Sequence, residues 1–332
     1  MDFMQSAVTN FSDLVTTLQR TGRTSEGEHV RELAGGVSAL VGVVEGGREP
    51  WVIKVPLGRL SVDDEWLADR SRGANEAAIL AQLDGLLGPI RTPRLLFYDD
   101  DHVLLGEEFI APPTLNYKDE LLAGRGHAQR ATALGLALAQ LHRMEPPSVL
   151  DGPDPRDLFD ALRLDPYYRV SAERRPELRD DLLALVEETV NVARPTLVHG
   201  DLSPKNVLVT PTSLVLLDWE VIHVGDPAFD RGMMGAHFVL KAIHLGPGQC
   251  AMVVKAARNF WSAYQGPADE ERSIRHLGGV MVARLYGKSP VDYLVDDASR
   301  QRAHHIGAAA LSGEVRTVDE VLALLHDEGG PG

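Results

Sequence analysis

One polar loop of the chain carries the residue types that phosphoryl transfer requires. Between Leu197 and Val209, two apolar stretches flank a loop that holds His199, Asp201 and Asn206, and a further apolar stretch delivers Asp218. Phosphoryl transfer needs a carboxylate that orients the attacking hydroxyl and accepts its proton, and oxygen ligands that hold magnesium against the nucleotide phosphates. Asp201 suits the first role, and the oxygens of Asn206 and Asp218 suit the second.

The spacing of these residues is what makes the pattern specific. It is His-x-Asp-x-x-x-x-Asn, with an aspartate twelve residues beyond the asparagine at the end of an apolar stretch. The alternative is an ordinary polar hairpin whose Asp and Asn side chains stabilise turns. All four residues in this order between apolar stretches favour the catalytic interpretation.

Three consecutive blocks of the chain closely resemble the aminoglycoside-phosphotransferase family. They are His199-Gly-Asp-Leu-Ser-Pro-Lys-Asn206, Asp218-Trp-Glu220 and Gly225-Asp-Pro-Ala-Phe-Asp230. The resemblance implies a protein-kinase-like fold and a transfer of phosphate from ATP or GTP to a hydroxyl of a small molecule.

The resemblance also implies a role for individual residues. Asp201 would be the catalytic base, and Asn206 and Asp218 would hold Mg²⁺. His199 would be structural, and Asp230 would brace the catalytic loop from a following helix. The same resemblance gives Glu220 and Asp226 no firm assignment.

A lysine in the first third of the chain is a candidate for contacting the nucleotide phosphates. Lys54 lies in the apolar stretch Trp51–Val55 and is one of only 6 lysines, against 27 arginines. It matches the family's strand lysine, and Glu76 on the following predicted helix is well placed to pair with it. The alternatives are an exposed edge-strand lysine and a solvated helix glutamate.

Two further segments are candidates for nucleotide binding. Backbone N–H groups can approach phosphates at Gly35, Gly36 and Val37, although a glycine pair alone indicates only a hairpin turn. This segment resembles the family's L-x-G-G-x-S stretch. The base is expected against the strand that joins the two lobes, nearest to Glu108, Phe109 and Ile110.

The predicted elements place this machinery in two parts. Helical spacing of apolar residues predicts a helix over residues 3–20, and a second helix is expected over residues 65–83. The predicted strands are Ala39–Glu45, Trp51–Val55, Arg94–Tyr98 and His102–Phe109. The chain is mostly helical afterwards, apart from a small β element around Leu197–Leu217.

These elements predict an α+β, two-lobed protein-kinase-like fold. Residues 1–108 would form a small β-rich N-lobe, with an N-terminal helix, an antiparallel sheet and one helix, that covers the nucleotide. Residues 109–332 would form a larger, mainly helical C-lobe that holds the catalytic loop and the substrate site.

Composition limits the partners of the chain. The formal net charge is −15, which argues against nucleic acid because phosphate-backbone binding needs concentrated Lys and Arg. An acidic protein can attract a cationic substrate, although solubility is the simpler explanation. The single cysteine, Cys250, excludes an internal disulfide and a cysteine metal cluster.

The chain gives no sign of a membrane or export signal. No apolar run approaches the roughly 18 residues that a membrane helix needs. The amino terminus lacks a basic region followed by an apolar one, so we expect no signal peptide and a cytoplasmic location by default.

The substrate is the least defined part of the prediction. Asp165, Tyr168 and Asp292 could bind a cationic or sugar-like ligand through carboxylates and aromatic faces, or equally be helix caps and packed surface residues. The family resemblance extends to kinases of choline, methylthioribose, homoserine, fructosamines and macrolides. Antibiotic resistance and metabolite phosphorylation therefore both stay open, as do the choice of ATP or GTP and the oligomeric state.

Two other functional classes fit the sequence less well. Only seven residues separate Asp218 from Asp226, which leaves little room for the activation segment of a protein kinase. A non-catalytic nucleotide-binding module would normally lack the base, a magnesium ligand or the lysine, and all of these are present.

Overall fold

The computed structural model describes residues 8–33, 38–61, 64–83, 85–146 and 155–326. Its strands are β1 (His29–Glu32), β2 (Ala39–Glu45), β3 (Trp51–Pro56), β4 (Ile90–Arg91), β5 (Leu95–Asp99), β6 (Leu104–Glu108), β7 (Leu115–Asn116), β8 (Thr196–Val198), β9 (Val207–Val209), β10 (Leu214–Leu216) and β11 (His223–Gly225). Its α-helices are α1 (Phe11–Arg20), α2 (Arg72–Leu83), α3 (Tyr117–Leu122), α4 (Ala128–Leu141), α5 (Pro155–Phe159), α6 (Val170–Arg174), α7 (Arg179–Val190), α8 (Pro227–Leu245), α9 (Ala251–Ala263), α10 (Glu270–Tyr286), α11 (Asp297–Ser312) and α12 (Val318–Ala323). A π-helix, Asp160–Arg169, continues from α5 into α6.

A five-stranded antiparallel sheet dominates the first part of the chain. Its strand order is β1-β2-β3-β6-β5. Apolar side chains from β2, β3 and β6 form a separate small core with Leu14 and Leu18 of helix α1. The sheet carries Lys54 on its central strand, where the side chain is buried.

Two small sheets and a helical body make up the rest. Strands pair in the order β4-β10-β9-β7, and β11 pairs with β8. Strands β8, β9 and β10 frame the polar loop, so that the residues after β8, before β9 and after β10 meet at one place. Helix α8 is buried along most of its length against α9 and α10, which anchors the loop's surroundings in the main hydrophobic core.

Most predicted elements agree with the structure, and two helices begin later than predicted. Strand β2 has the predicted limits, and β3 is one residue longer. Helix α1 begins at Phe11, where the Asn10 side chain accepts the N–H of Asp13 and caps the helix. Residues 3–7 of the predicted helix lie outside the described residues.

Helix α2 begins at Arg72 instead of residue 65 because Trp66 fixes the preceding segment in another conformation. The Trp66 indole N–H donates to the carbonyl of Ala161 at 2.9 Å, and the Trp66 carbonyl accepts the N–H of Leu60 at 2.9 Å. Tertiary contacts therefore override the local helical pattern.

Across these ranges of the chain, no helix combines the length and the apolar character needed to cross a membrane.

Candidate active site

A single cleft of about 560 Å³ brings the predicted residues of both parts of the chain together. The five-stranded sheet contributes Lys54 to its lining, and the polar loop and the strand that follows contribute Asp201, Asn206 and Asp218. Residues more than 160 positions apart thus share one cavity, with Lys54 Nζ 3.3 Å from Asp218 Oδ1.

The polar loop is held in place by Asp230 at the start of helix α8. The two oxygens of this carboxylate accept the backbone N–H groups of His199 at 2.7 Å and Gly200 at 2.9 Å. Gly200 has φ of +78°, and a Cβ there would lie 2.6 Å from the carbonyl oxygen of Val221. Only glycine suits this turn, because other residues would meet both the backbone strain and the clash.

His199 is buried and bridges the loop to the strand beside it. Its Nδ1 accepts the N–H of Asp201 at 3.1 Å, and its Nε2 donates to the carbonyl of Leu217 at 3.2 Å. Burial lowers the pKa of His199. A neutral ring with one donor and one acceptor nitrogen satisfies both contacts.

Asp201 is a buried carboxylate surrounded by donors. Asn206 Nδ2 donates to its Oδ2 at 2.8 Å, and Arg163 and Lys205 form ion pairs with the same oxygen at 3.0 and 3.2 Å. Burial alone would raise the pKa of Asp201, but the two cations outweigh it and hold the pKa well below the usual range. The group is therefore an ionised acceptor that faces the cleft.

Lys54 is the centre of a buried ion cluster. Its Nζ donates to Glu76 Oε1 at 2.6 Å, and the same oxygen accepts the N–H of Trp219 at 3.1 Å. Burial lowers the pKa of Lys54, but the carboxylates around it more than offset this, so that the pKa lies well above the ordinary value. The lysine stays charged and faces Asp218.

The oxygens of Asn206 and Asp218 fit a magnesium ion. The N–H of Leu217 donates to the carbonyl of Asn206 at 2.8 Å, which holds the two residues side by side. Asn206 uses its amide nitrogen on Asp201, and within the described ranges its amide oxygen and Asp218 Oδ2 make no hydrogen bond. An amide oxygen and a carboxylate oxygen are ligands that Mg²⁺ prefers, with phosphates and water completing the shell.

The backbone at Asp218 supports a functional role for that residue. Asp218 has φ of +69°, a conformation that non-glycine residues rarely adopt. Such strained positions cluster at functional sites.

Glu220 and Asp226, whose roles were left undefined, have structural partners. Arg72 Nε donates to Glu220 at 2.9 Å, and the buried guanidinium also donates to the carbonyls of Ser38 and Leu57. This pair ties helix α2 to the strand that delivers Asp218. Asp226 caps helix α8 by accepting the N–H of Ala228 at 3.0 Å.

The segment predicted to contact the base lines the cleft directly after strand β6. Within it, Glu108 donates its N–H to the carbonyl of Arg94 and pairs its carboxylate with Arg91 at 2.9 Å. The N–H and the carboxylate of Glu108 therefore already have partners, and the backbone groups of Phe109 and Ile110 are better candidates for hydrogen bonds to a base. Gly35, Gly36 and Val37 lie outside the described residues.

The predicted substrate residues are not brought together. Tyr168 is fully buried, and its hydroxyl lies 2.8 Å from His276 Nδ1, so the prediction that it contacts substrate is wrong. Asp165 lies near Lys288 and is absent from the described lining of the cleft, whereas Asp292 lines it. The π-helix turns Tyr167, rather than Tyr168, towards the cavity.

Arg163 is the main residue that sequence reasoning missed. Besides pairing with Asp201, its Nε donates to the carbonyl of Gly200 at 2.8 Å. The sequence did contain a signal for it, because Arg163 stands between the two apolar residues Leu162 and Leu164. All three are buried, and a buried arginine needs an acidic partner.

A family model described as "Phosphotransferase enzyme family" matches residues 29–267, which is more than half of the chain. The methylthioribose kinase of Escherichia coli is 27% identical over 252 residues, covering 67% of this chain. The chain spans about three fifths of the length of the curated relatives it matches, 59% for that kinase.

Two solved structures share the fold. The choline kinase of Streptococcus pneumoniae has a TM-score of 0.54 at 12% identity, covering 90% of this chain and 98% of that one. A spectinomycin phosphotransferase in complex with ADP and spectinomycin has a TM-score of 0.51 at 15% identity, covering 95% and 98%. The predicted kinase-like fold, with a β-rich first part and a helical second part, is confirmed.

Proposed function

Because the chain belongs to the phosphotransferase enzyme family, we propose that it transfers the terminal phosphate of ATP or GTP to a hydroxyl of a small molecule. One observation carries the proposal: an ionised Asp201 and a paired Lys54 line the same cleft as the oxygens of Asn206 and Asp218. These are the parts that phosphoryl transfer needs, because catalysis of this reaction is mainly positioning and charge stabilisation.

In this proposal Asp201 orients the acceptor hydroxyl and takes its proton. The hydroxyl oxygen forms a bond to the terminal phosphorus, the bond from that phosphorus to the bridging oxygen breaks, and the electron pair leaves on the nucleoside diphosphate. Lys54 binds nucleotide phosphates and is itself oriented by Glu76. Bound at Asn206 and Asp218, Mg²⁺ would neutralise phosphate charge.

The two parts of the chain divide the substrates between them. We assign residues 1–108 to covering the nucleotide and residues 109–332 to the catalytic loop and the acceptor. A spectinomycin phosphotransferase of the same fold binds ADP, which supports a nucleotide as one substrate of this chain. Which purine nucleotide is preferred depends on the edge presented at Phe109 and Ile110.

Among acceptors, a metabolite is the better candidate, and an aminoglycoside is the second. The curated relatives are methylthioribose kinases, which supports a sugar-like metabolite. An aminoglycoside-like reaction remains the second candidate because a spectinomycin phosphotransferase has the same fold. A purely nucleotide-binding role is disfavoured because no part of the catalytic set is missing.

The test is phosphate transfer from Mg-ATP and Mg-GTP to a panel of sugars, hydroxylated metabolites, aminoglycosides and macrolides, followed by ³¹P NMR of the product. The variant Asp201→Asn should lose roughly 10²–10⁴-fold in turnover while nucleotide affinity is retained. Asp180→Asn, at an exposed aspartate on helix α7, is the matched control and should behave as wild type. Equal turnover of Asp201→Asn and wild type would remove Asp201 from the mechanism.

A further inference from the structure

Basic side chains line one part of the cleft, and we assign this part to the acceptor. We call this set the basic cluster; its members are Lys118, His237, Lys241 and Arg284. They come from helices α3, α8 and α10. Four of the six lysines of the chain line this one cleft. Two of them, Lys54 and Lys205, pair with Glu76 and Asp201, which leaves Lys118 and Lys241 on the side that we assign to the acceptor.

Helix α8 fixes the cluster relative to the catalytic loop. Met233, His237 and Lys241 follow one another at intervals of four residues along the helix, and all three line the cleft. This spacing places them on one face of the helix. The same helix begins with Asp230, which holds the loop that carries Asp201. The cluster and the catalytic carboxylate therefore belong to one rigid frame.

Lys241 is a buried cation without an acidic partner. Its side chain is 1% exposed. Its Nζ lies 3.4 Å from His237 Nδ1, 3.5 Å from the Tyr293 hydroxyl and 5.1 Å from the centre of the Tyr293 ring. Throughout the ranges that the structure covers, no carboxylate oxygen lies within 4 Å of Lys241 Nζ. A buried charge is costly unless it is paired, so the site is built for a partner that the chain does not supply.

The surroundings of Lys241 make the site more positive. Arg284 donates to the Ser289 hydroxyl at 2.8 Å, and its Nε is buried with no hydrogen-bond partner in the described part of the chain. Burial lowers the pKa of Lys241 well below the ordinary value, and Arg284 and Lys118 lower it further. One carboxylate, that of Asp292, lies nearby, but its side chain is 83% exposed and its Oδ1 is 3.9 Å from Lys118 Nζ.

We propose that the acceptor is a small hydroxylated anion whose carboxylate or phosphate group binds at Lys241, His237 and Arg284 while its hydroxyl faces Asp201. This inference rests on the proposed function and names its acceptor class. A polycationic aminoglycoside would meet like charges at this site. The negative net charge does not oppose binding inside the cleft, because charges more than about 8–10 Å away are largely screened at physiological salt.

Binding can be tested without turnover. The full chain is saturated with a magnesium-bound, non-hydrolysable ATP analogue, which fills the nucleotide site, and is titrated calorimetrically with four matched sugars. Gluconate and glucose 6-phosphate carry the carboxylate and the phosphate, glucose is neutral, and glucosamine is cationic. At least one anion should bind about tenfold or more tightly than glucose and glucosamine, as expected for a charge-assisted contact. Whichever anion binds identifies which of the two groups the site takes.

Lys241→Met should abolish that preference. Methionine replaces a buried unpaired cation with an apolar chain of similar length, so folding is not expected to suffer. Lys255→Met, at an exposed lysine on helix α9, is the matched control and should keep the preference.

Asp292→Asn separates this inference from a cation-binding site. Because the residue is exposed, its replacement leaves the fold intact. An anionic acceptor should bind equally or more tightly to the variant, whereas a cationic one should bind more weakly.

The inference is overturned if neither anion binds more tightly than glucose, or if Lys241→Met lowers the affinity for the nucleotide instead of the affinity for the anionic sugar. Neither result concerns the phosphotransferase reaction, which stands or falls with Asp201-dependent phosphate transfer across the wider panel.

Discussion

Arg163 pairs with the Asp201 carboxylate at 3.0 Å and donates to the carbonyl of the preceding residue, Gly200, at 2.8 Å. The same guanidinium therefore fixes both the charge and the position of the catalytic carboxylate. With its pKa held well below the usual range, Asp201 is ionised at every pH at which the protein is expected to work. In the proposed reaction it would first accept the hydrogen bond that orients the hydroxyl, and would take the proton as the new phosphate bond forms.

Replacing Arg163 by glutamine should shift the acid limb of the pH–rate profile to higher pH. Burial raises the pKa of Asp201, and Arg163 is the larger of the two cations' opposing influences, so its removal should raise that pKa while Lys205 still lowers it in part. Wild-type turnover should stay flat as the pH falls towards 5. The midpoint of the variant's acid limb should lie about one pH unit or more above the midpoint for wild type. The measurement is turnover against pH, limited to the range in which both proteins stay folded.

Two further variants separate charge from position at Arg163. Arg163→Lys should restore much of the wild-type profile because it keeps the cation, and Arg194→Gln, at an exposed arginine, should leave it unchanged. Identical acid limbs for wild type and Arg163→Gln would show that Arg163 does not control the protonation of Asp201.

Lys54 and Glu76 should behave as a unit. Lys54→Met leaves a buried carboxylate unpaired, so we expect a loss of about 3–5 kcal/mol in the free energy of unfolding. The double variant Lys54→Met/Glu76→Gln should recover part of that stability, because the unpaired charge of Glu76 is removed while Asp218, the other partner of Lys54, keeps its charge. Nucleotide use should stay impaired in both, since both lack the lysine proposed to bind the phosphates. Denaturant unfolding and the Michaelis constant for ATP are the readouts, and additive losses in the double variant would contradict the pairing.

Asp230→Asn should loosen the catalytic loop. The carboxylate accepts two backbone N–H groups, and an amide can accept only one without turning its own NH₂ towards the other. We expect a loss of about 1–3 kcal/mol for the unsatisfied donor, and lower turnover with a smaller change in nucleotide affinity. Asp297→Asn, at an exposed position on helix α11, controls for the charge change. Unchanged turnover would mean that the loop keeps its geometry without Asp230.

The sequence was most informative where chemistry fixes both residue type and spacing. The loop from His199 to Asn206 and the aspartate beyond it could be identified because each role accepts few residue types. Lys54 was found for the same reason, in an apolar strand of a lysine-poor chain. To predict that Lys54 and the loop lie in one cleft, only the order of the strands was needed.

The acceptor side could not be found in the same way. Tyr168 was predicted to bind substrate because an aspartate and two tyrosines resemble a binding surface. The π-helix instead buries Tyr168 in the core and places Tyr167 in the lining of the cleft. The signal that was present lies in helix α8, where His237 and Lys241 stand four residues apart in a mostly apolar part of the helix. Its meaning depends on Arg284 and Lys118, which come from distant parts of the chain.

The unpaired state of Lys241 has a consequence for stability. In the folded protein its pKa lies well below the ordinary value of 10.5, so the unfolded chain binds more protons between the folded pKa and 10.5. Stability should therefore rise with pH across that window. Lys241→Met removes this penalty, and should be more stable than wild type at pH 7.5 with a difference that shrinks towards pH 9.5. Thermal unfolding at both pH values checks this, with Lys255→Met expected to follow wild type. A variant that is less stable than wild type at pH 7.5 would mean that Lys241 is already paired within the protein.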